Sequence, residues 1–211
     1  RLFSETSLEP VAQIKKRAMG LADRLTLYLI VATIVGARIG HFLFYESPSD
    51  YFARPLEILL VRKGGLASHG AALGIVFATL LFVRRYRCSL SWIHLLDLVC
   101  VPAAFAGACI RMGNFFNQEI LGTKTTVPWA VVFGHPMDRS FPAPRHPVQL
   151  YEALLYLAIF LLLWRLTYRS SYFLIKGRLF GLFLSLVFGS RFVMEFFKLE
   201  QSALLGKSFF T

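Results

Sequence analysis

The sequence predicts an all-α, polytopic helical integral membrane protein, and three observations carry that expectation. Hydrophobic residues make up 56% of the 211 positions, 21 of them phenylalanine, and the mean hydropathy is +0.57, too apolar for an ordinary soluble domain. The apolar residues gather into five runs of bilayer-crossing length, about 17–25 residues each. Lys and Arg outnumber the acidic residues 23 to 12, but they lie between the apolar runs. That pattern sets membrane orientation rather than nucleic-acid binding.

The five segments fall near 24–45, 66–83, 92–110, 148–166 and 178–197, and the whole chain, 1–211, reads as one transmembrane domain. The first follows Lys15-Lys16-Arg17. The second opens on Gly64-Gly65 and ends at Arg84-Arg85-Tyr86-Arg87. The third ends on a cluster of polar residues that begins at Arg111. Pro147 suits the first turn of the fourth, and the basic connection Arg165 to Arg178 separates the fourth from the fifth. The side holding residue 15 and both short basic connections carries 12 Lys and Arg against 9 on the other, over fewer residues. It is therefore expected to be cytoplasmic. The longer connections, near 46–65 and 111–147, then face outward. No signal peptide is recognisable, and the chain opens on Arg1 rather than methionine, so it reads as a fragment or a processed product.

Several functions are disfavoured. There is no Walker loop, dinucleotide glycine fingerprint or HExxH motif, and no internal repeat of the kind that builds many transporters. Cys88, Cys100 and Cys109 have neither metal-ligand spacing nor a paired framework, so they read as small buried or loop thiols.

The polar residues are the informative ones. Arg111, Asn114, Asn117 and Glu119 lie within nine residues at the end of an apolar run. Each charged or amide group at bilayer depth costs about 2–3 kcal/mol or more, so such groups normally face a protein interior or a polar cavity. His69 lies among Gly64, Gly65, Gly70 and Gly74. The glycines read as close helix packing, and the histidine as either a structural donor or a proton acceptor for a thiol or hydroxyl. Arg38 is embedded in the first run. Arg191 and Glu195 are four apart in the last, where they either form an ion pair or direct the arginine fork at a phosphate. Arg145, His146, Gln149 and Glu152 open the fourth segment, where helix capping competes with function. His41, His94, His135 and Asp97 read as packing or interface residues. Together the arginines, amides and carboxylates describe a chamber for an anionic ligand such as a phospholipid headgroup.

These residues resemble the bacterial phosphatidylglycerol:prolipoprotein diacylglyceryl transferases. The family pattern G-R-x-G-N-F-x-N-G-E-x-x-G followed by P-W is matched by Arg111-Met112-Gly113-Asn114-Phe115-Phe116-Asn117-Gln118-Glu119-Ile120-Leu121-Gly122 with Pro128-Trp129. Ile110 precedes the arginine where glycine is usual, and Gln118 also replaces a glycine. Further blocks agree in order: Gly36 to Gly40, Gly64 to Gly70, Arg145 to Glu152, and Gly189 to Phe197. The resemblance covers about 24 to 198. It implies seven transmembrane helices, of which five are visible here.

The resemblance implies transfer of the diacylglyceryl group of phosphatidylglycerol to the lipobox cysteine of a prolipoprotein signal peptide, giving a thioether and glycerol phosphate. It implies the bacterial cytoplasmic (inner) membrane as location, membrane lipids as neighbours, and no nucleic acid, metal or organic cofactor. On that basis Arg111 takes the headgroup phosphate, Asn114 and Asn117 bond its oxygens or the glycerol hydroxyls, and Glu119 and Gly122 shape the pocket. Arg191 stabilises the leaving phosphate or the thiolate, and His69 is the candidate base. Arg38 and Glu195 support the site, while His146 and Glu152 hold the outer loop to the fourth helix. Two other readings predict different behaviour. A transporter or channel for an anionic solute would give flux without covalent change, and a purely structural subunit would tolerate replacement of each polar residue.

Overall fold

The computed structural model describes residues 11–45, 67–86, 90–169 and 175–198. The connection expected over 46–65, Gly64 and Gly65 with Leu66, Cys88 and both chain ends lie outside the described residues. The five expected helices are present: α1 (Val11–Tyr45), α2 (Ser68–Tyr86), α3 (Trp92–Phe116), α4 (Val148–Thr167) and α5 (Arg178–Glu195). Between α3 and α4 a small antiparallel pair, β1 (Val131–Val132) and β2 (Pro144–Arg145), pins the loop with Val131 opposite Arg145.

Two helices are longer than the hydropathy runs. α1 starts at Val11 rather than near 24, because 11–23 is rich in Ala, Lys, Arg, Gln and Met, which favour helix without being apolar. α3 runs to Phe116 rather than 110. Arg111 and Asn114, expected in the outer loop, are therefore on its last turns.

Among the described residues, three helices are long and apolar enough to cross a membrane: α1, α3 and α4. α2 and α5 span only 19 and 18 residues, so the charges at their ends fall within any window of membrane length. Arg84 and Arg85 close α2, and α5 holds Arg178, Arg191 and Glu195. Large apolar side chains cover the exposed helix faces, among them Leu27, Val31, Phe77, Leu154, Trp164 and Phe188. A lipid-facing surface requires this, since no water is there to hydrogen-bond exposed polar groups.

The chain divides into two compact units, Arg1–Leu95 and Leu96–Thr211. In the first, α1 and α2 pack through glycines. A Cβ added to Gly36, Gly40, Gly70 or Gly74 would come closer than 3.0 Å to backbone of the facing helix. Backbone contact of this kind is how helices associate where hydrophobic exclusion gives no drive, so Gly70 and Gly74 have the packing role expected of them, and Gly36 and Gly40 face them from α1. In the second unit, Cys100, Val101, Ala104 and Ala108 of α3 pack on Tyr156, Ile159, Leu163 and Leu166 of α4, with Leu179 of α5.

Asp97 ties the second unit together at one end. Its buried carboxylate accepts the N–H of Gly177 at 2.7 Å and of Phe180 at 2.8 Å. Gly177 sits in the left-handed region and no side chain of α5 itself caps that end. A carboxylate from α3 thus serves as the N-cap of α5 and meets its positively polarised start.

Candidate active site

The Arg111 motif is a helix ending. The N–H of Glu119 bonds the carbonyl of Asn114 at 2.9 Å and the N–H of Gln118 bonds that of Phe115 at 3.1 Å. Gln118 has φ of 55°. This is the Schellman arrangement, in which the residue after the cap turns left-handed and the next returns to the last turn. The turn brings Glu119 back against the helix it has just left. Its carboxylate accepts the side-chain amide of Asn114 at 2.6 Å and that of Asn117 at 3.3 Å. Its carbonyl accepts Gln149 Nε2 of α4 at 2.6 Å. Asn114, Asn117 and Glu119 are therefore one hydrogen-bonded group.

One turn earlier on α3, Arg111 meets Glu152 of α4. Arg111 Nε lies 3.1 Å from Glu152 Oε2, and Lys198 Nζ, just past α5, lies 2.9 Å from Oε1. Glu152 is 1% exposed, Arg111 11% and Lys198 9%. Neither contact has hydrogen-bond geometry, so the carboxylate is held by charge, in surroundings where charge is poorly screened. Two cations thus share one buried carboxylate, and Lys198 also lies 3.5 Å from the exposed Glu195 carboxylate. The terminal nitrogens of the Arg111 fork make no hydrogen bond among the described residues.

Gly122 serves the backbone. A Cβ there would collide with the carbonyl of His146 and the side chain of Val148. That close approach lets His146 N–H bond Thr123 O at 3.0 Å and Thr123 N–H bond Phe197 O at 2.9 Å, with Gly122 bridged to Lys198. His146 lies beside Phe197 and places Nδ1 3.3 Å from the hydroxyl of Tyr151. That hydroxyl also accepts Trp129 Nε1 at 2.7 Å. His146 thus joins the loop between α3 and α4 to α4, whereas Glu152 touches Arg111 itself.

Arg191 is exposed on α5. The ion pair considered between it and Glu195 is not formed among the described residues. Glu195 is 72% exposed and its carboxylate lies 3.5 Å from Lys198. Arg38 and His69 belong to the first unit. Arg38 is buried with its guanidinium 4.6 Å from the Phe42 ring centre. His69 is exposed and sits edge-on to Phe44 at 4.8 Å and beside Tyr45 at 5.8 Å, with His41 stacked on Tyr45 at 5.5 Å. Cys100 and Cys109 are free. No group of three or more potential metal ligands occurs among the described residues.

The family model for prolipoprotein diacylglyceryl transferase matches residues 5–210. The chain belongs to the prolipoprotein diacylglyceryl transferase family. It is 44% identical over 199 residues to the phosphatidylglycerol–prolipoprotein diacylglyceryl transferase of Protochlamydia amoebophila strain UWE25, covering 92% of this chain and 53% of the relative. The enzymes so named from Tolumonas auensis and Chloroherpeton thalassium are 48% and 45% identical over 86% and 84% of this chain and 67% and 64% of their own. The chain spans between about half and two thirds of these relatives. Within this transferase family it is a multi-pass membrane protein.

Two site residues of this diacylglyceryl transferase relative were not singled out from sequence. Lys198 meets Glu152 across 46 positions, so no local pattern marks it. Gln149 was seen only as a helix-start residue, yet it anchors the Glu119 carbonyl 30 positions away.

Proposed function

We propose that the protein transfers the diacylglyceryl group of phosphatidylglycerol to the lipobox cysteine thiol of prolipoproteins, at the outer side of the bacterial cytoplasmic membrane. Family membership supports the reaction class, and the Glu152-held Arg111 is the observation that carries the reading to a site. A guanidinium fixed by one edge, with its other donors open, suits a phosphodiester, which accepts parallel hydrogen bonds.

In the reaction the sulfur attacks the glycerol carbon that bears the phosphate. A C–S bond forms, the C–O bond breaks, and the thiol proton ends on the departing glycerol phosphate or in solvent. Arg111 would stabilise the phosphate through its fork as charge develops on it. Asn114, Asn117 and Glu119 offer amide donors and a carboxylate acceptor to the headgroup glycerol. Arg191, exposed and without a polar partner among the described residues, is available to a leaving phosphate or a thiolate. His69 is the candidate base, and a positive field can also promote thiolate formation without accepting the proton.

The test is release of glycerol phosphate from radiolabelled phosphatidylglycerol in proteoliposomes, with a lipobox peptide or with the same peptide alkylated at cysteine. Release that requires the free thiol supports transfer. Flux of an anionic solute with no release would favour the transport reading.

A further inference from the structure

Gln118 ties the Arg111 motif to the loop 134–140. Its Oε1 accepts the N–H of His135 at 2.7 Å, and its backbone carbonyl accepts the N–H of Met137 at 3.1 Å. One residue thus spends both acceptors on a single short stretch. The far end of that stretch is fixed as well. Asp138 accepts the N–H and hydroxyl of Ser140 at 3.0 and 2.7 Å, and Arg145 links Ser140 Oγ at 3.0 Å to the carbonyl of Gly122 at 3.3 Å. The loop is closed at both ends on the peptide 118–122, which carries Glu119.

The backbone alone gives no reason for glutamine here. A φ of 55° is free for glycine and costly for a residue with a Cβ. What the glutamine adds is the acceptor that holds His135. Gln118 also lies between Asn117 and Glu119, whose side chains meet at 3.3 Å, the longer and looser of the two contacts made by the Glu119 carboxylate. Holding residue 118 from outside fixes the peptide planes on both sides of it.

We infer that Gln118 is a positioning residue for the lipid headgroup: by clamping the 134–140 loop it sets the orientation of Asn117 and Glu119 toward phosphatidylglycerol. This rests on the transferase reading. Loss of one such hydrogen bond predicts headgroup affinity weaker by about threefold to tenfold, with kcat and peptide KM little changed.

Gln118→Gly and Gln118→Met separate the clamp from the backbone. Both lack the acceptor, but glycine relieves the left-handed strain and methionine keeps it. The full chain in vesicles of phosphatidylglycerol diluted in phosphatidylcholine gives lipid affinity by equilibrium titration, and adduct formation gives KM for each substrate. Both variants are expected to bind phosphatidylglycerol about threefold to tenfold more weakly, with unchanged peptide KM. Unchanged lipid affinity in both, opposite shifts in the two, or parallel losses in lipid affinity, peptide KM and melting temperature would each overturn the inference. Failure of the unsubstituted protein to form any adduct would count against the transferase reading instead, and the binding titration would still decide the role of Gln118.

Discussion

Glu152 holds Arg111 by one edge of its guanidinium, with Nε 3.1 Å from a carboxylate oxygen that is itself buried. Lys198 lies 2.9 Å from the other oxygen. Replacing Glu152 by Ala would leave two cations together away from water. Breaking a buried pair in this way costs about 3–5 kcal/mol, so Glu152→Ala should melt far below the parent and lose transfer. Glu152→Gln, which keeps the volume, should lose less stability. Thermal unfolding in detergent decides this, and an alanine variant that melts with the parent would refute the ion-pair account.

Gly122 is constrained by packing. Gly122→Ala would drive a methyl into the His146 carbonyl and Val148, and overpacking of this kind costs about 1–3 kcal/mol. Stability and transfer should fall together, because the displaced strand also carries the Lys198 contact. A Gly122→Ala protein of parental stability that no longer bound phosphatidylglycerol would instead favour a direct role in the pocket.

Asp97 offers a control away from the site. Removing this cap should cost about 1–2 kcal/mol while transfer per folded molecule stays near the parental value. Asp97→Ala can be followed by melting temperature and by turnover at a temperature where both proteins are folded. Loss of turnover without loss of stability would place Asp97 in the chemistry.

The loop between α3 and α4 has a pH signature at Asp138. Burial acts to raise its pKa, but the Ser140 hydroxyl and amide and the Arg145 charge outweigh it and hold it below its ordinary value of 3.8. A carboxyl lowered in the folded state adds stability that is present above that ordinary value. The contribution is lost as pH falls through the lower folded value. Asp138→Asn should therefore reduce loop protection at neutral pH and flatten its decline below about pH 4. Hydrogen exchange of the 134–146 amides across that range measures it, and identical acid profiles would dismiss the interaction.

The helices were legible because a bilayer demands long apolar runs, and their order came through intact. Their ends were less so. Residues 11–23 are helical but not apolar, so hydropathy passed over them. The end of α3 was hidden because the usual stop signal, glycine in the left-handed position, is Gln118 here. Arg111 and Asn114 therefore read as loop. The polar group itself was visible from Arg111 to Glu119 because its members are close in sequence. Its outside supports were not, since Glu152 with Lys198 and Glu119 with Gln149 are joined only by the packing of α3, α4 and the end of α5. Asp97 likewise looked like a packing residue because Gly177, at the start of the helix it caps, lies 80 positions later.

The central claim is that this polar group anchors the phosphate of the lipid being cleaved, and mass spectrometry of a lipobox peptide with a single cysteine tests it most directly. The peptide is incubated with phosphatidylglycerol vesicles and either the parent protein or folded Arg111→Ala. The account predicts a gain of one diacylglyceryl unit on the cysteine with the parent and none with the variant. No adduct from well-folded parent protein, or a near-normal yield from Arg111→Ala, would contradict it.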